Sequence, residues 1–173
     1  MQWSKLKHTI ESKFADKVKG RVELFSTRYT KPNSTTGRCW ITVDKKQIVN
    51  FATLKSMHNY GAYYHEATET NCVTHPAISD TERLEGNLIE EGEFSRFDLH
   101  NCCWEYLNLT VEEGLEHKSP IINFLAIIDK RLGKRRLVEL DSKKLHPLVK
   151  YILEFRLDAE GLHKTQSPNG VTE

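Results

Sequence analysis

The stretch RVELFSTRYTKPNSTTGRCWITVDKKQIVNF, residues 21–51, decides the fold. Its Val, Leu, Ile, Thr and aromatic residues alternate or cluster in three runs, RVELFSTRY, RCWITVD and QIVNF, as is typical of half-buried strands. Turn residues in KPNSTTG separate the first two runs, and Asp44, Lys45 and Lys46 make a tight second connection. These residues therefore predict a three-stranded antiparallel meander.

A helix is expected before the meander. Trp3, Leu6, Ile10 and Phe14 recur at helical spacing, so one face of this segment is apolar. Gly20 stands where such a helix could end. The pattern predicts an amphipathic opening helix of about 13 to 16 residues.

The segment after the meander is expected to begin with a helix capped by Thr53. A long acidic loop at about residues 67–92 should follow, with a short strand around Leu88 and Ile89. Residues 66–93 contain eight acidic residues and one arginine. Loops of this length tend to be functional or mobile.

The rest of the chain has helical patterns. The N-terminal signals of its helices are, in order, Asp98 as an N-cap, the capping box TVEE at 110–113, Ser119 before Pro120, and Pro147. The helix that starts at Pro120 is expected to end at Gly133. The predicted fold is α+β: an N-terminal helix, a three-stranded antiparallel meander, and a mainly helical C-terminal half packed on the sheet. Residues 1–162 are expected to form a single domain, and residues 163–173 a disordered tail.

Composition limits the environments in which this chain of 173 residues works. The longest apolar run, Ile121 to Ile128, is far shorter than the roughly 20 residues of a membrane span, and no secretory signal opens the sequence. The four cysteines are too few for a disulfide scaffold at this length. We therefore expect a cytoplasmic protein with free thiols and no membrane partner.

The segment AIIDKRLGKRRL, residues 126–137, contains five basic residues in twelve. One interpretation is structural, because the macrodipole favours cations at the C-terminus of a helix. The functional alternative is a surface that contacts phosphates and combines this segment with arginines of the meander. Its candidate residues are Arg21, Arg28, Arg38, Lys130, Arg131, Lys134, Arg135 and Arg136. The net charge of only +1 argues against strong nonspecific binding of nucleic acid.

A zinc site is a further candidate. His58, His65, Cys72 and His75 offer ligand atoms that zinc accepts. Only Cys72 and His75 have the close spacing usual in structural sites, so no cofactor is the default expectation and zinc the alternative.

Nuclease chemistry is suggested by the element order, because a helix, three strands and a helix open the restriction-endonuclease-like core. That family places acidic residues and a lysine on its second and third strands to hold a divalent ion and to position water. This chain offers Glu23 and the sequence DKK at 44–46, but its third strand lacks the triplet. No phosphate-binding loop, dinucleotide fingerprint or nucleophile elbow occurs.

The segments WSKLK, KGRVEL, WITVD, GEFSRFDLH and DKRLGKRRL resemble a family of uncharacterised bacterial proteins of similar length. The resemblance extends from about Trp3 to Gly161. The hairpin of that family typically reads Asp-Gly-Lys, whereas here Lys45 replaces the glycine. The resemblance implies a bacterial cytosolic protein without known activity, and it transfers no catalytic residue.

The absence of catalytic motifs and the segregation of charge favour a nonenzymatic macromolecule-binding domain. Its partner is expected to be another protein, in a protein-interaction or immunity-like role, through the acidic loop or the basic segment. The alternative is a nucleic-acid-binding protein, or a metal-dependent nuclease that uses the basic meander and the basic helix end.

Overall fold

The computed structural model describes residues 2–28, 37–52, 55, 84–140 and 145–162. The elements are α1 (Trp3–Glu11), β1 (Val22–Arg28), β2 (Gly37–Val43), β3 (Lys46–Ala52), α2 (Arg96–Tyr106), α3 (Val111–Glu116), α4 (Pro120–Ile128), α5 (Lys134–Glu139) and α6 (Pro147–Ala159). The predicted α+β order is confirmed: a helix, a three-stranded antiparallel sheet, and helices that pack on that sheet. Within the described parts of the chain, every helix is too short or too polar to span a bilayer.

The sheet has the order β1-β2-β3, and one of its faces belongs to the core. Leu24 lies opposite Ile41, which in turn lies opposite Val49, and all three side chains are buried. Successive side chains of a strand point to opposite faces. Ser26 and Arg28 therefore lie on the same face of β1 as Leu24, the face on which the helices pack.

The turn between β2 and β3 has a left-handed backbone. Asp44 and Lys45 have φ angles of 48° and 66°. Positive φ at both central residues is the pattern of a type I′ turn, whose twist matches the flanking strands. Lys45 thus adopts a conformation that glycine favours.

α1 is shorter than predicted, because it ends at Glu11 after 9 residues. The chain beyond it bonds to the end of α4 instead, and the backbone N–H of Ala15 donates to the carbonyl oxygen of Ile128 at 2.9 Å. A backbone N–H group that donates to another element cannot also make the hydrogen bond that would extend α1. Gly20 lies in a turn before β1 with a φ angle of 76° and does not end the helix.

α2 begins after Ser95, so the prediction of Asp98 as its N-cap is wrong by one turn. The Ser95 hydroxyl accepts the backbone N–H groups of Phe97 and Asp98, and the Asp98 carboxylate accepts the backbone N–H of Ser95 at 2.6 Å. Asp98 is therefore the third residue of a capping box, and Arg96 is the first residue of the helix. The other predicted start signals are confirmed: the capping box of Thr110 and Glu113, Ser119 before Pro120, and Pro147.

The basic segment does not follow a helix that continues to Gly133. α4 ends at Ile128, and Gly133 is the N-cap of α5. Asp129 ends α4, because its backbone is extended and its carboxylate accepts the backbone N–H of Arg131 at 2.8 Å. Lys134 and Arg135 consequently lie in the first turn of α5, where the macrodipole disfavours cations, whereas Arg136 lies in its last turn. The macrodipole at the end of α4 therefore does not account for Lys134 and Arg135.

Residues 84–93, the described end of the predicted acidic loop, form turns and bends, and the strand predicted around residues 88–89 is not there. Glu90 and Glu93 are buried. Glu90 accepts a backbone N–H of the loop at 2.8 Å, and Glu93 lies 3.0 Å from the Nε2 atom of His146. Part of the acidic charge thus holds the loop against the helical half.

Three predictions concern residues that the structure does not describe. The Thr53 position that should cap a helix, residues 67–83 of the acidic loop, and the disordered tail at 163–173 lie outside the described residues. The single domain at residues 1–162 stays a prediction.

Candidate anion-binding site

The cations that follow α4 are mostly paired with carboxylates of the same chain. Their ion pairs are Arg131 with Asp129 at 2.8 Å, Lys134 with Glu160 at 3.2 Å, Arg135 with Glu139 at 3.2 Å, and Arg136 with Glu112. Lys130 instead donates its ammonium group to the carbonyl oxygen of Ser12 at 3.2 Å. This part of the predicted phosphate surface is therefore largely neutralised within the molecule.

Arg21 is also paired. Its guanidinium donates two hydrogen bonds to the Asp44 carboxylate, each 2.7 Å long, and lies 4.6 Å from the centre of the Phe155 ring. Arg21 precedes β1 and Arg28 ends it, so the length of the strand, roughly 20 Å, separates them. The structure therefore does not bring Arg21 together with Arg28 in one surface.

Arg28 and Arg38 lie at the opposite end of the sheet, on its two different faces. Arg28 is opposite Gly37, and Arg38 follows Gly37 along β2. The Arg38 guanidinium lies 4.4 Å from the centre of the Trp40 ring, on the face of the sheet away from α2. Among the described residues, neither arginine forms an ion pair with a carboxylate.

Arg96 joins Arg28 at this end of the sheet, and the sequence patterns did not identify it. It is the first residue of α2 and only 4% exposed. Its Nε and Nη2 atoms are buried, and among the described residues they have no hydrogen-bond partner. Its guanidinium carbon lies 4.5 Å from the centre of the Phe97 ring, so an aromatic face contacts it. A buried donor without an acceptor costs about 1–3 kcal/mol.

Because Gly37 has no side chain, the side chain of Arg96 can pass close to the sheet. A Cβ atom at this position would lie 2.3 Å from the carbonyl oxygen of Thr27, 3.0 Å from the Cδ atom of Arg96 and 3.1 Å from the Cα atom of Arg28. Any other residue would force these atoms apart. The start of β2 is therefore shaped to admit Arg96 beside Arg28.

His100 lies close enough to both arginines for their charges to lower its pKa. Burial lowers its pKa to about 4, and the positive charges of Arg96 and Arg28 add to this effect. Its Nε2 atom lies 2.9 Å from the Ser26 hydroxyl, and its ring stacks on Trp3 with the ring centres 4.5 Å apart. The imidazole is thus neutral at physiological pH, and the site holds two positive charges.

The nearest thiol is not a nucleophile. Cys39 is buried on β2, and its sulfur lies 3.7 Å from the carbonyl oxygen of Arg96. Burial raises the pKa of Cys39 to about 12, although the neighbouring Arg96 charge opposes the shift. A thiolate is the reactive form of cysteine, so this residue supplies no activated group near neutral pH.

The residues of the other predicted sites lie only partly within the described residues. His58, His65, Cys72 and His75 lie outside the described residues. Asp44 bonds to Arg21, as described above, and Glu23 lies two residues beyond Arg21 on β1. Among the residues that the structure describes, no three His, Cys, Asp or Glu side chains could hold one metal ion.

Anion binding is what this arrangement can do chemically. A guanidinium presents its N–H donors in a planar fork that matches the oxygens of carboxylates and phosphates. Arg28 is exposed and Arg96 is buried, so an anion that arrives from solvent would meet Arg28 first. The Nε and Nη2 atoms of Arg96 are closed to solvent in this structure, so contact with them requires the Arg96 side chain or its neighbours to move.

The chain was compared with models of protein families. A family model described as the SF0329 protein family matches residues 2–157. This range includes the sheet, Arg28 and Arg96. No curated protein and no solved structure matches the chain.

Proposed function

The chain belongs to the SF0329 protein family, and we propose that it is a nonenzymatic binding protein that holds an anionic group of another macromolecule between Arg28 and Arg96. One observation carries this proposal. Two donor atoms of the Arg96 guanidinium are buried and have no partner in the part of the chain that the structure describes. A protein gains nothing in stability from such donors, so a ligand that accepts their hydrogen bonds explains why they are kept.

The proposed partner is a protein and not a nucleic acid. A duplex or single strand would need a row of available cations that follows its backbone. Arg21 and four cations near α5 are paired with carboxylates, which an extended phosphate backbone would have to displace. One anionic group of a protein needs only the local pair of arginines.

Substitution of Arg28 tests the binding function. Arg28→Gln should weaken the binding of inorganic phosphate at least tenfold, because it removes one of two charge-assisted contacts, each worth about 1.5–3 kcal/mol. Arg28 is exposed, so the variant should keep the wild-type fold. Isothermal titration calorimetry at low ionic strength measures the affinity.

The control is Arg135→Gln, which also removes an exposed arginine and changes the net charge equally. Arg135 is 92% exposed and bonds to Glu139, so its loss should leave the phosphate affinity unchanged. Equal effects of the two substitutions would mean that only the net charge matters, and the proposed site would then be wrong.

The nucleic-acid alternative is tested with a short single-stranded DNA and tryptophan fluorescence at two salt concentrations. Under the protein-partner proposal, little binding is expected at either concentration. Tight binding that falls steeply with salt would favour the alternative, because release of counterions produces that dependence.

A further inference from the structure

Resting on the proposed function, we infer that the ligand of the Arg28–Arg96 site is a dianionic phosphate monoester, presented by a phosphorylated side chain of a protein partner. The inference starts from the charge of the site. Arg28 and Arg96 supply two positive charges, and among the described residues neither forms an ion pair with a carboxylate. A ligand with two negative charges would neutralise the site, whereas a monoanion would leave one charge in place.

Asp98 is the acid nearest to Arg96 along the chain, and it is engaged elsewhere. Its carboxylate accepts the backbone N–H of Ser95 at 2.6 Å and closes the capping box at the start of α2. The helix N-terminus is therefore satisfied by the chain itself. Any anion at the site would contact the arginine side chains instead.

The paired arginine Arg131 shows how this protein neutralises a guanidinium permanently. Its N–H groups bond to both carboxylate oxygens of Asp129 at distances of 2.8 to 3.1 Å. One carboxylate thus serves one guanidinium. Two neighbouring arginines that have no carboxylate partner among the described residues fit a ligand with twice the charge and more acceptor oxygens. A phosphate monoester has about −1.5 to −2 charges at neutral pH and three strong acceptor oxygens.

The side chains beside the two arginines are uncharged, which agrees with a ligand that carries two negative charges. His100 is uncharged at physiological pH, so it adds no third positive charge to the site. It lies within hydrogen-bonding distance of the Ser26 hydroxyl on the same face of β1. Both side chains are polar groups beside the arginines that leave the net charge at two.

The charge requirement also separates monoesters from the backbone of a nucleic acid. Each linking phosphate of DNA or RNA is a diester with a single negative charge, and only a terminal phosphate is a dianion. A phosphorylated serine, threonine or tyrosine is a monoester. The site should therefore prefer a phosphorylated protein over an internal nucleic-acid phosphate.

The test compares small anions of defined charge with the complete chain. Ethyl phosphate, diethyl phosphate, acetate and sulfate are titrated at about pH 7.5, and the signal is the fluorescence of Trp3, which stacks on His100. Ethyl phosphate is expected to bind at least about tenfold more tightly than diethyl phosphate or acetate. Similar affinities for all four anions would overturn the inference and leave the proposed function intact. No binding of any anion would overturn both.

The dependence on pH gives a second readout. The second pKa of a phosphate monoester is about 6, so its affinity should fall roughly tenfold between about pH 7.5 and pH 5. Sulfate stays a dianion, and its affinity should change little over this range. The four side chains of the site, those of Arg28, Arg96, His100 and Cys39, keep their charge there, since the pKa of His100 is about 4 and that of Cys39 about 12. Parallel changes for both anions would contradict the inference.

Two larger probes identify the source of the phosphate. A blocked tripeptide with a central phosphoserine should bind at least as tightly as ethyl phosphate, and a 5′-phosphorylated dinucleotide should bind less tightly than the peptide. Tighter binding of the dinucleotide would overturn the protein source. The Arg28→Gln variant should lose the preference for ethyl phosphate over acetate, because one positive charge remains.

Discussion

Replacement of Arg96 by methionine should abolish anion binding and leave the protein at least as stable as the wild type. Two donor atoms of Arg96 are buried without a partner among the described residues, and an unsatisfied buried group costs about 1–3 kcal/mol that an apolar side chain of similar volume avoids. Loss of the contact with Phe97 offsets about 0.5–1 kcal/mol of this gain. We expect a net increase of about 1 kcal/mol in the free energy of unfolding. Urea denaturation measures the stability, and calorimetric titration with phosphate measures the binding.

Arg156 provides a matched control, because it is a second buried arginine whose donors are satisfied. It is 2% exposed and bonds to three backbone carbonyl oxygens and to the carboxylate of Glu160. Arg156→Met should therefore destabilise the protein by about 3–5 kcal/mol. If Arg96→Met were destabilising to the same extent, the role of Arg96 would be structural. Retained phosphate affinity in Arg96→Met would equally contradict the proposed site.

Asp129 should be among the positions most sensitive to substitution in the fold. Its carboxylate is fully buried, accepts the hydroxyl of Tyr106 at 2.9 Å, and bonds to the backbone and the guanidinium of Arg131. Asp129→Ala would leave these donors without an acceptor at the end of α4. The expected loss is about 3–5 kcal/mol of unfolding free energy, measured by urea denaturation.

Asp129→Asn is the control for charge, because it keeps the size and one acceptor oxygen. A smaller loss is expected from it than from the alanine variant. If Asp129→Ala cost less than about 1 kcal/mol, the typical worth of one ordinary hydrogen bond, the central role of this carboxylate would be wrong.

The same residue predicts how stability depends on pH. Burial works to raise the pKa of Asp129, but hydrogen bonds from Arg131 and Tyr106 outweigh it and hold the pKa below its ordinary value. A carboxyl group with a lowered pKa in the folded state contributes stability above its unfolded pKa of about 3.9. This contribution is lost as the pH falls through the folded pKa, so the wild type should lose its advantage over Asp129→Asn in acid.

The sheet could be predicted from the sequence because its signals are local. Alternation of apolar residues, a polar connection and a two-residue turn are each contained in residues 21–51. The end of α4 could not be predicted in this way. Its basic and apolar pattern continues to Gly133, but Asp129 turns the chain, bonding to the nearby backbone of Arg131 and to Tyr106, which is 23 positions away along the chain.

In the candidate site, likewise, one arginine could be predicted from the local sequence and the other could not. Arg28 was among the predicted phosphate contacts, because basic residues are visible one by one in the sequence. Arg96 was not, since a single arginine in the segment FSRFDLH carries no pattern. Its position depends on the Ser95 cap, which starts α2 earlier than Asp98 would, and on Gly37, which is 59 positions away along the chain.

The most direct test of the Arg28–Arg96 site is to observe the guanidinium groups by NMR during a titration with inorganic phosphate. In a spectrum that correlates each arginine Nε with its hydrogen, the signals of Arg28 and Arg96 should shift together and saturate with one affinity. Arg131 serves as the internal control, because its Nε group already bonds to Asp129, and its signal should stay in place. An Arg96 signal that does not move, or equal small shifts of all arginines, would contradict the proposal that this pair binds an anion.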